Sequence, residues 1–132
     1  MTRKEITGER DLRFSGWVRE KLPDSSTGFR VTDIDFVLAN VQTKRFMILE
    51  IKTRNSEIRP WQKSLLSVVN RSIRAGIGSI QQGPFNKWTY LGMHLIVFEN
   101  TYFDDGKVYL NDILITEDEL CLFLSMRGPL SI

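Results

Sequence analysis

Phe14, Trp17, Val18 and Leu22 recur at helical spacing, which predicts a first helix over residues 7–22 that Pro23 ends. Turn formers fill residues 23–28. Residues 29–41 then read as a strand, rich in β-favouring Val31, Ile34, Phe36, Val37 and Leu38 and interrupted by Asp33 and Asp35. A polar turn at residues 42–45 leads into a second strand over 46–53. That strand is apolar at every position up to Glu50, as expected of one covered on both faces. A polar loop over 54–59 precedes Pro60, which suits the first turn of a helix. Trp61, Leu65, Leu66, Val68, Val69 and Ile73 give that helix its apolar face, and Gly76 is its expected stop. Residues 76–89 form a long loop with three glycines and a proline, and residues 91–99 and 107–115 read as strands on either side of Asp104-Asp105-Gly106. Thr116-Glu-Asp-Glu119 is a capping box for a last helix reaching about residue 126. The expected fold is α/β, a mixed central sheet flanked by helices with a C-terminal strand and helix, in one domain over residues 1–132.

Three charged residues sit where a covered strand resists them. Glu50 and Lys52 alternate with Leu49 and Ile51, so the charged pair shares one face and the apolar pair the other. Asp35 lies fifteen positions before Glu50 across a short turn, so antiparallel pairing would bring the two carboxylates together. Side by side they repel, unless a hard divalent cation lies between them. A lysine two residues on would hold a phosphate oxygen or assist a water, which completes the parts for metal-assisted hydrolysis of a phosphodiester.

Composition narrows the field. The 132 residues are 42% apolar and 26% charged, an ordinary globular mixture. A lone cysteine, Cys121, excludes an intrachain disulfide framework and Cys-rich structural zinc, and a lone histidine, His94, leaves little for a Ser-His-Asp mechanism. No apolar run approaches the ~20 residues that span a bilayer, and the first residues lack the apolar stretch of a secretory signal. The expectation is therefore a cytoplasmic protein with no membrane partner. The net charge of +2 hides an asymmetry: residues 1–98 carry 16 Lys/Arg against 9 Asp/Glu, and residues 99–132 carry 2 against 7. A basic body favours a polyanionic partner.

Asp35 followed by Glu50-Ile51-Lys52 resembles the PD-(D/E)XK nuclease superfamily, whose motif is an acid on one strand and (D/E)-x-K on the next within a restriction-endonuclease-like αβββαβ core. The order matches over residues 9–98, and Ile34 replaces the family's proline. Gln62, at the start of the following helix, is similar to the glutamine of the virus-type replication-repair and RecB-like branches. Glu20, with Glu9 as second choice, matches the glutamate that members carry on the first helix. The resemblance implies a small nuclease acting on DNA, with Asp35, Glu50 and the carbonyl of Ile51 holding Mg2+ (Mn2+ as substitute). Lys52 would assist the attacking water, and Glu20 and Gln62 would complete the site. It further implies a homodimer acting on branched or structured DNA, as in Holliday-junction resolvases, and a phage or virus origin. The loop over 76–89 is the expected self-association segment.

Arg19, Arg54, Arg59 and Lys63 are the candidate phosphate contacts, with Lys21, Arg71, Arg74 and the Ser25-Ser26-Thr27 hydroxyls behind them. Other readings compete. Glu50 and Lys52 would be an exposed cross-strand pair on an edge strand, Asp33 would replace Asp35, or Gln62 would be a plain surface amide. His94, Cys121 and the tryptophans Trp17, Trp61 and Trp88 read as packing residues rather than chemistry. The alternative function is a catalytically silent nucleic-acid-binding module of the same fold, and a third is an interaction protein that docks through its acidic end.

Overall fold

The structure is a computed structural model that describes residues 13–28, 30–77 and 87–128. Its contacts divide the chain into two units, Met1–Thr32 and Asp33–Ile132. In the first unit, helix α1 spans Arg13–Lys21 and is followed by a single 3-10 turn at Ser25–Thr27. Residues 7–12 of the expected helix lie outside the described residues, as does Glu9. None of the residues of α1 is buried. Phe14 and Trp17, expected to form a core stripe, are 71% and 47% exposed and stack on each other at 5.8 Å, as residues one helical turn apart do.

The second unit is a five-stranded mixed sheet with two helices. The strands are β1 (Phe36–Asn40), β2 (Arg45–Lys52), β3 (Thr89–Phe98), β4 (Val108–Leu110) and β5 (Ile113–Ile115), and they lie in chain order across the sheet. Helix α2 (Pro60–Ile77) joins β2 to β3, and α3 (Glu117–Ser125) closes the fold. The β2–β3 pair is parallel and the others are antiparallel. A parallel neighbour needs a crossover, which α2 provides, whereas the antiparallel pairs β1–β2 and β4–β5 close through short turns at 41–44 and 111–112, and β3–β4 through the segment 99–107. The chain is thus α/β, as the patterns predict. The restriction-endonuclease-like order has three strands ahead of the crossover helix; the described residues supply two.

Strand β2 shows why the fold holds together. Met47, Ile48, Leu49 and Glu50 are all buried, because β1 and β3 flank the strand and both of its faces are covered. Met47 and Leu49 join Ile96, Phe98, Leu110, Leu120 and Met126 in the main core, with Ile51 packed against it. Ile48 and Glu50 belong to the other face, where Leu66 of α2 is buried. The edge reading of Glu50 and Lys52 therefore fails.

Three elements differ from expectation. Of the strand expected over 29–41, the described residues form β1 over Phe36–Asn40, and residue 29 lies outside the described residues. The N–H of Ile51 goes to Asp35 Oδ2 at 2.8 Å, so a side chain takes the place of a main-chain acceptor and the ladder ends there. The strand expected over 107–115 is a hairpin. Asn111 and Asp112 have φ of 50° and 69°, and Leu110 faces Ile113, which is a two-residue turn with both central residues left-handed. Asn and Asp are the side chains that tolerate this conformation. Cys121, expected on a buried helix face, is exposed. Leu120, Phe123 and Leu124 form the inward face of α3, and position 121 is turned out of it.

The remaining elements follow their signals. Helix α2 opens at Pro60 and runs one residue past Gly76. Residues 78–86, most of the expected self-association loop, lie outside the described residues. The capping box of α3 is present in full: Thr116 accepts from the Glu119 N–H at 3.1 Å, and Glu119 accepts from the Thr116 N–H at 3.1 Å. These bonds hold the Glu119 carboxyl below its usual range.

Candidate active site

Asp35 and Glu50 meet where β1 begins. The pairing of Phe36 with Leu49 sets Asp35 opposite Glu50 by continuation of the register. The Asp35 N–H reaches Glu50 Oε1 at 3.4 Å while the Asp35 carboxylate accepts from Ile51, so the two acidic side chains are interleaved through the backbone between them. Asp35 is exposed and Glu50 is 2% exposed. Asp33 lies close enough to disfavour the charge on Glu50, but Asp35 is the residue tied to the end of the strand.

This position is costly for a charge. Burial first, and the Asp35 carboxylate second, push the Glu50 carboxyl up from its ordinary range. The Asp35 N–H and the Lys52 ammonium pull the other way without cancelling the rise. Lys52 is half-buried, two positions along β2, and so on the same face as Glu50. Strand physics explains the set: the two carboxylates converge because the strands pair in this register, and the lysine shares their side because side chains alternate.

The arrangement suits a hard divalent cation. Two ionised carboxylates are pure acceptors, and a dication between them would relieve the repulsion that raises Glu50. A strand residue's N–H and C=O leave on the same side, so the carbonyl of Ile51 is directed toward the edge where Asp35 lies. Among the described residues no group of three or more His, Cys, Asp or Glu side chains assembles for a metal. Two carboxylates, a carbonyl and waters are then the donor set on offer.

Glu50 also opens onto a cavity of about 300 Å³ between α2 and the sheet. From α2 it is lined by Lys63, Leu66, Ser67 and Asn70, and at its far side by Asn111 and Asp112. Lys63, expected as a phosphate contact, thus shares this cavity with Glu50, whereas Gln62, half-buried in the same turn, does not line it. Ser67, Asn70 and Asp112 went unnoticed in the sequence. Their signal was a polar stripe on α2 at residues 63, 67 and 70, one face of the helix, and an Asn-Asp turn inside an apolar run.

The other candidates are dispersed. Arg54 and Arg59 are exposed in the segment between β2 and α2, where Arg54 and Asn55 take left-handed φ of 55° and 52° and donate their N–H groups to the carbonyls of Asn100 and Phe98. The Arg74 guanidinium lies over the Tyr90 ring, 5.5 Å from its centre, and so packs against the fold. Glu20 and Arg19 are exposed on α1 of the first unit.

His94 is held in place by hydrogen bonds at both ring nitrogens and lines the cavity beside Glu50. Its Nε2 is 2.8 Å from the Leu91 carbonyl and therefore carries the proton, while Nδ1 accepts from Asn111 at 2.9 Å. The ring packs edge-on against Phe123, and burial pulls its pKa below the ordinary value. No helix of the described residues is long and apolar enough to cross a membrane. No family model, curated protein or solved structure matches this chain.

Proposed function

We propose that the protein is a small metal-dependent nuclease of the PD-(D/E)XK, restriction-endonuclease-like kind, acting on DNA. One observation carries the reading: Asp35 and a buried Glu50 converge at the start of β1, with Lys52 on the same face of β2 as Glu50. A fold does not place a buried carboxylate on a covered strand beside a second carboxylate for stability, since burial and Asp35 both disfavour the charge of Glu50. They fit a divalent cation, Mg2+ or Mn2+, held by Asp35, Glu50 and the Ile51 carbonyl. When bound, that ion would supply an activated water and neutralise charge on the phosphate oxygens.

The chain's own residues do the rest. Lys52 offers a cation next to the carboxylate pair, where it stabilises negative charge that grows on the phosphate as the bond to oxygen forms. Arg54, Arg59 and Lys63 lie between β2 and α2 or in the first turn of α2, where they would hold the strand by its phosphates without reading sequence. Gln62, in the first turn of α2, remains part of the proposal as a further site residue. A homodimer would supply the two sites that a branched substrate needs, and sedimentation of the full chain tests it.

The test of activity is incubation of the purified chain with linear, circular and four-way-junction DNA, with Mg2+, with Mn2+ and with chelator. Metal-dependent cutting that Asp35→Asn and Lys52→Ala abolish is the expected result. No cutting of any substrate under any condition removes the nuclease reading. One observation favours a second reading: among the described residues no group of three or more His, Cys, Asp or Glu side chains assembles to hold a metal, which suits a module that grips nucleic acid without cutting it. Metal-stimulated binding with no cleavage would select that module.

A further inference from the structure

The cavity beside Glu50 continues into a second one of about 580 Å³, and the two share Ile58, Lys63, Leu95 and Asp112 in their walls. Together they form a groove between the start of α2 and the β4–β5 turn. Each cavity lies within the size range of small-molecule sites. The lining mixes apolar groups, Ile58, Leu66, Met93 and Leu95, with the carboxylates of Glu50, Glu57 and Asp112 and one cation, Lys63.

That chemistry selects among the parts of a nucleic acid. Phosphate is disfavoured inside the groove, because with Glu50 committed to the cation the Glu57 and Asp112 carboxylates still outnumber one ammonium, and the exposed Lys63 stays open to a phosphate outside it. A nucleobase is favoured: it is flat and apolar on its faces, and it carries amino and imino N–H donors on its edge that suit carboxylate and amide acceptors. The far wall is also fixed in place. Asn111 Oδ1 accepts from the Leu95 N–H at 2.9 Å, its side-chain amide bonds His94, and its own N–H donates to the Leu95 carbonyl at 2.8 Å. The turn that presents Asp112 is therefore held to β3 before any ligand arrives, so little ordering cost falls on binding.

We propose that this groove is a subsite for the base of a single unpaired nucleotide lying next to the phosphate at the Asp35–Glu50 pair. The assignment rests on the nuclease reading and names its substrate class: DNA with an unpaired nucleotide at the cut, as in a single strand, flap, bulge or branch point. A paired base cannot enter unless it first leaves its partner and its stack.

Two measurements on the full chain test this independently of each other. In the first, backbone amide shifts are followed while deoxycytidine, deoxyguanosine or deoxyribose 5-phosphate is added. Both nucleosides should move the amides of Ser67, Leu95 and Asp112, and the sugar phosphate should not. Asp112→Asn, which keeps a side chain that tolerates the left-handed turn, should weaken nucleoside binding about tenfold. Ser67→Phe, which fills the groove from α2, should abolish it; a melting curve checks that each variant is folded.

In the second measurement, duplex DNA with one unpaired nucleotide should be cut about tenfold faster than the fully paired duplex, because the paired base must first be extruded. Ser67→Phe should erase that preference. Nucleoside shifts in the groove without any cleavage would keep the subsite and overturn the nuclease. Cleavage with equal rates on both duplexes and no nucleoside shifts in the groove would overturn the subsite and keep the nuclease. Shifts produced by the sugar phosphate alone would reassign the groove to phosphate and overturn the proposal.

Discussion

Replacing Glu50 by Gln should stabilise the protein at neutral pH, against the usual expectation for a buried residue of β2. The wild-type carboxyl titrates above its ordinary value of 4.5 because burial and Asp35 disfavour its charge. The folded state therefore holds a proton that the unfolded chain has released. Stability falls as pH rises from about that value through the folded-state pKa, and stays lost above it. Each unit of displacement removes about 1.4 kcal/mol. For a unit of the size of Asp33–Ile132, a loss of 1 kcal/mol lowers the melting temperature by roughly 4–8 °C. Gln is neutral at every pH, keeps an oxygen for the Asp35 N–H, and has an amide N–H for the Asp35 carboxylate. Thermal melts in chelator from pH 4 to pH 8 should converge for the two proteins at the acid end and separate at the alkaline end, with Glu50→Gln higher. Mg2+ at a hundred times its dissociation constant should then raise the wild type by about 2.7 kcal/mol and restore much of the alkaline loss, with a far smaller effect on the variant. A variant that melts at or below the wild type at pH 8, or curves that separate toward acid, would refute the argument that this carboxylate is held against its own charge preference.

Lys52→Ala should bind DNA within a few-fold of wild type and lose cleavage in the rate of the chemical step, measured by single-turnover kinetics, since its cation acts on charge that develops in the transition state. DNA affinity should fall steeply with salt, and Arg59→Ala and Lys63→Ala should each lower the slope of log K against log salt by about one, read by fluorescence anisotropy. Met47→Ala, at a position with 0% exposure, should cost about 2–5 kcal/mol in urea unfolding with little change in the denaturant slope.

Much of the fold was legible from local rules. The helix from Pro60, the capping box at Thr116 and the covered strand over Met47–Leu49 each rest on short-range signals, a fixed φ, a side-chain cap and an unbroken apolar run, which no later contact reverses. The same alternation that put Leu49 in the core put Glu50 and Lys52 on one face, so the pairing of acid and lysine was also readable.

What the sequence alone decided, then, was the set of groups that had to be accommodated: two acids and a lysine on or beside covered strands, an apolar stripe on each long element, and charge concentrated ahead of the acidic end. Only the tertiary structure decided where they meet. The register of β1 on β2 brought Asp35 rather than Asp33 to the end of the ladder, and Asp35 in turn ended it by taking the Ile51 N–H. The crossover through α2 laid Lys63 and Ser67 over Glu50, and the left-handed pair Asn111–Asp112 folded one expected strand into a hairpin whose turn closes the groove. These are outcomes of pairing and packing between segments far apart in the chain. A local period carries no information about them, because the free energy that fixes them exists only once both partners are in place.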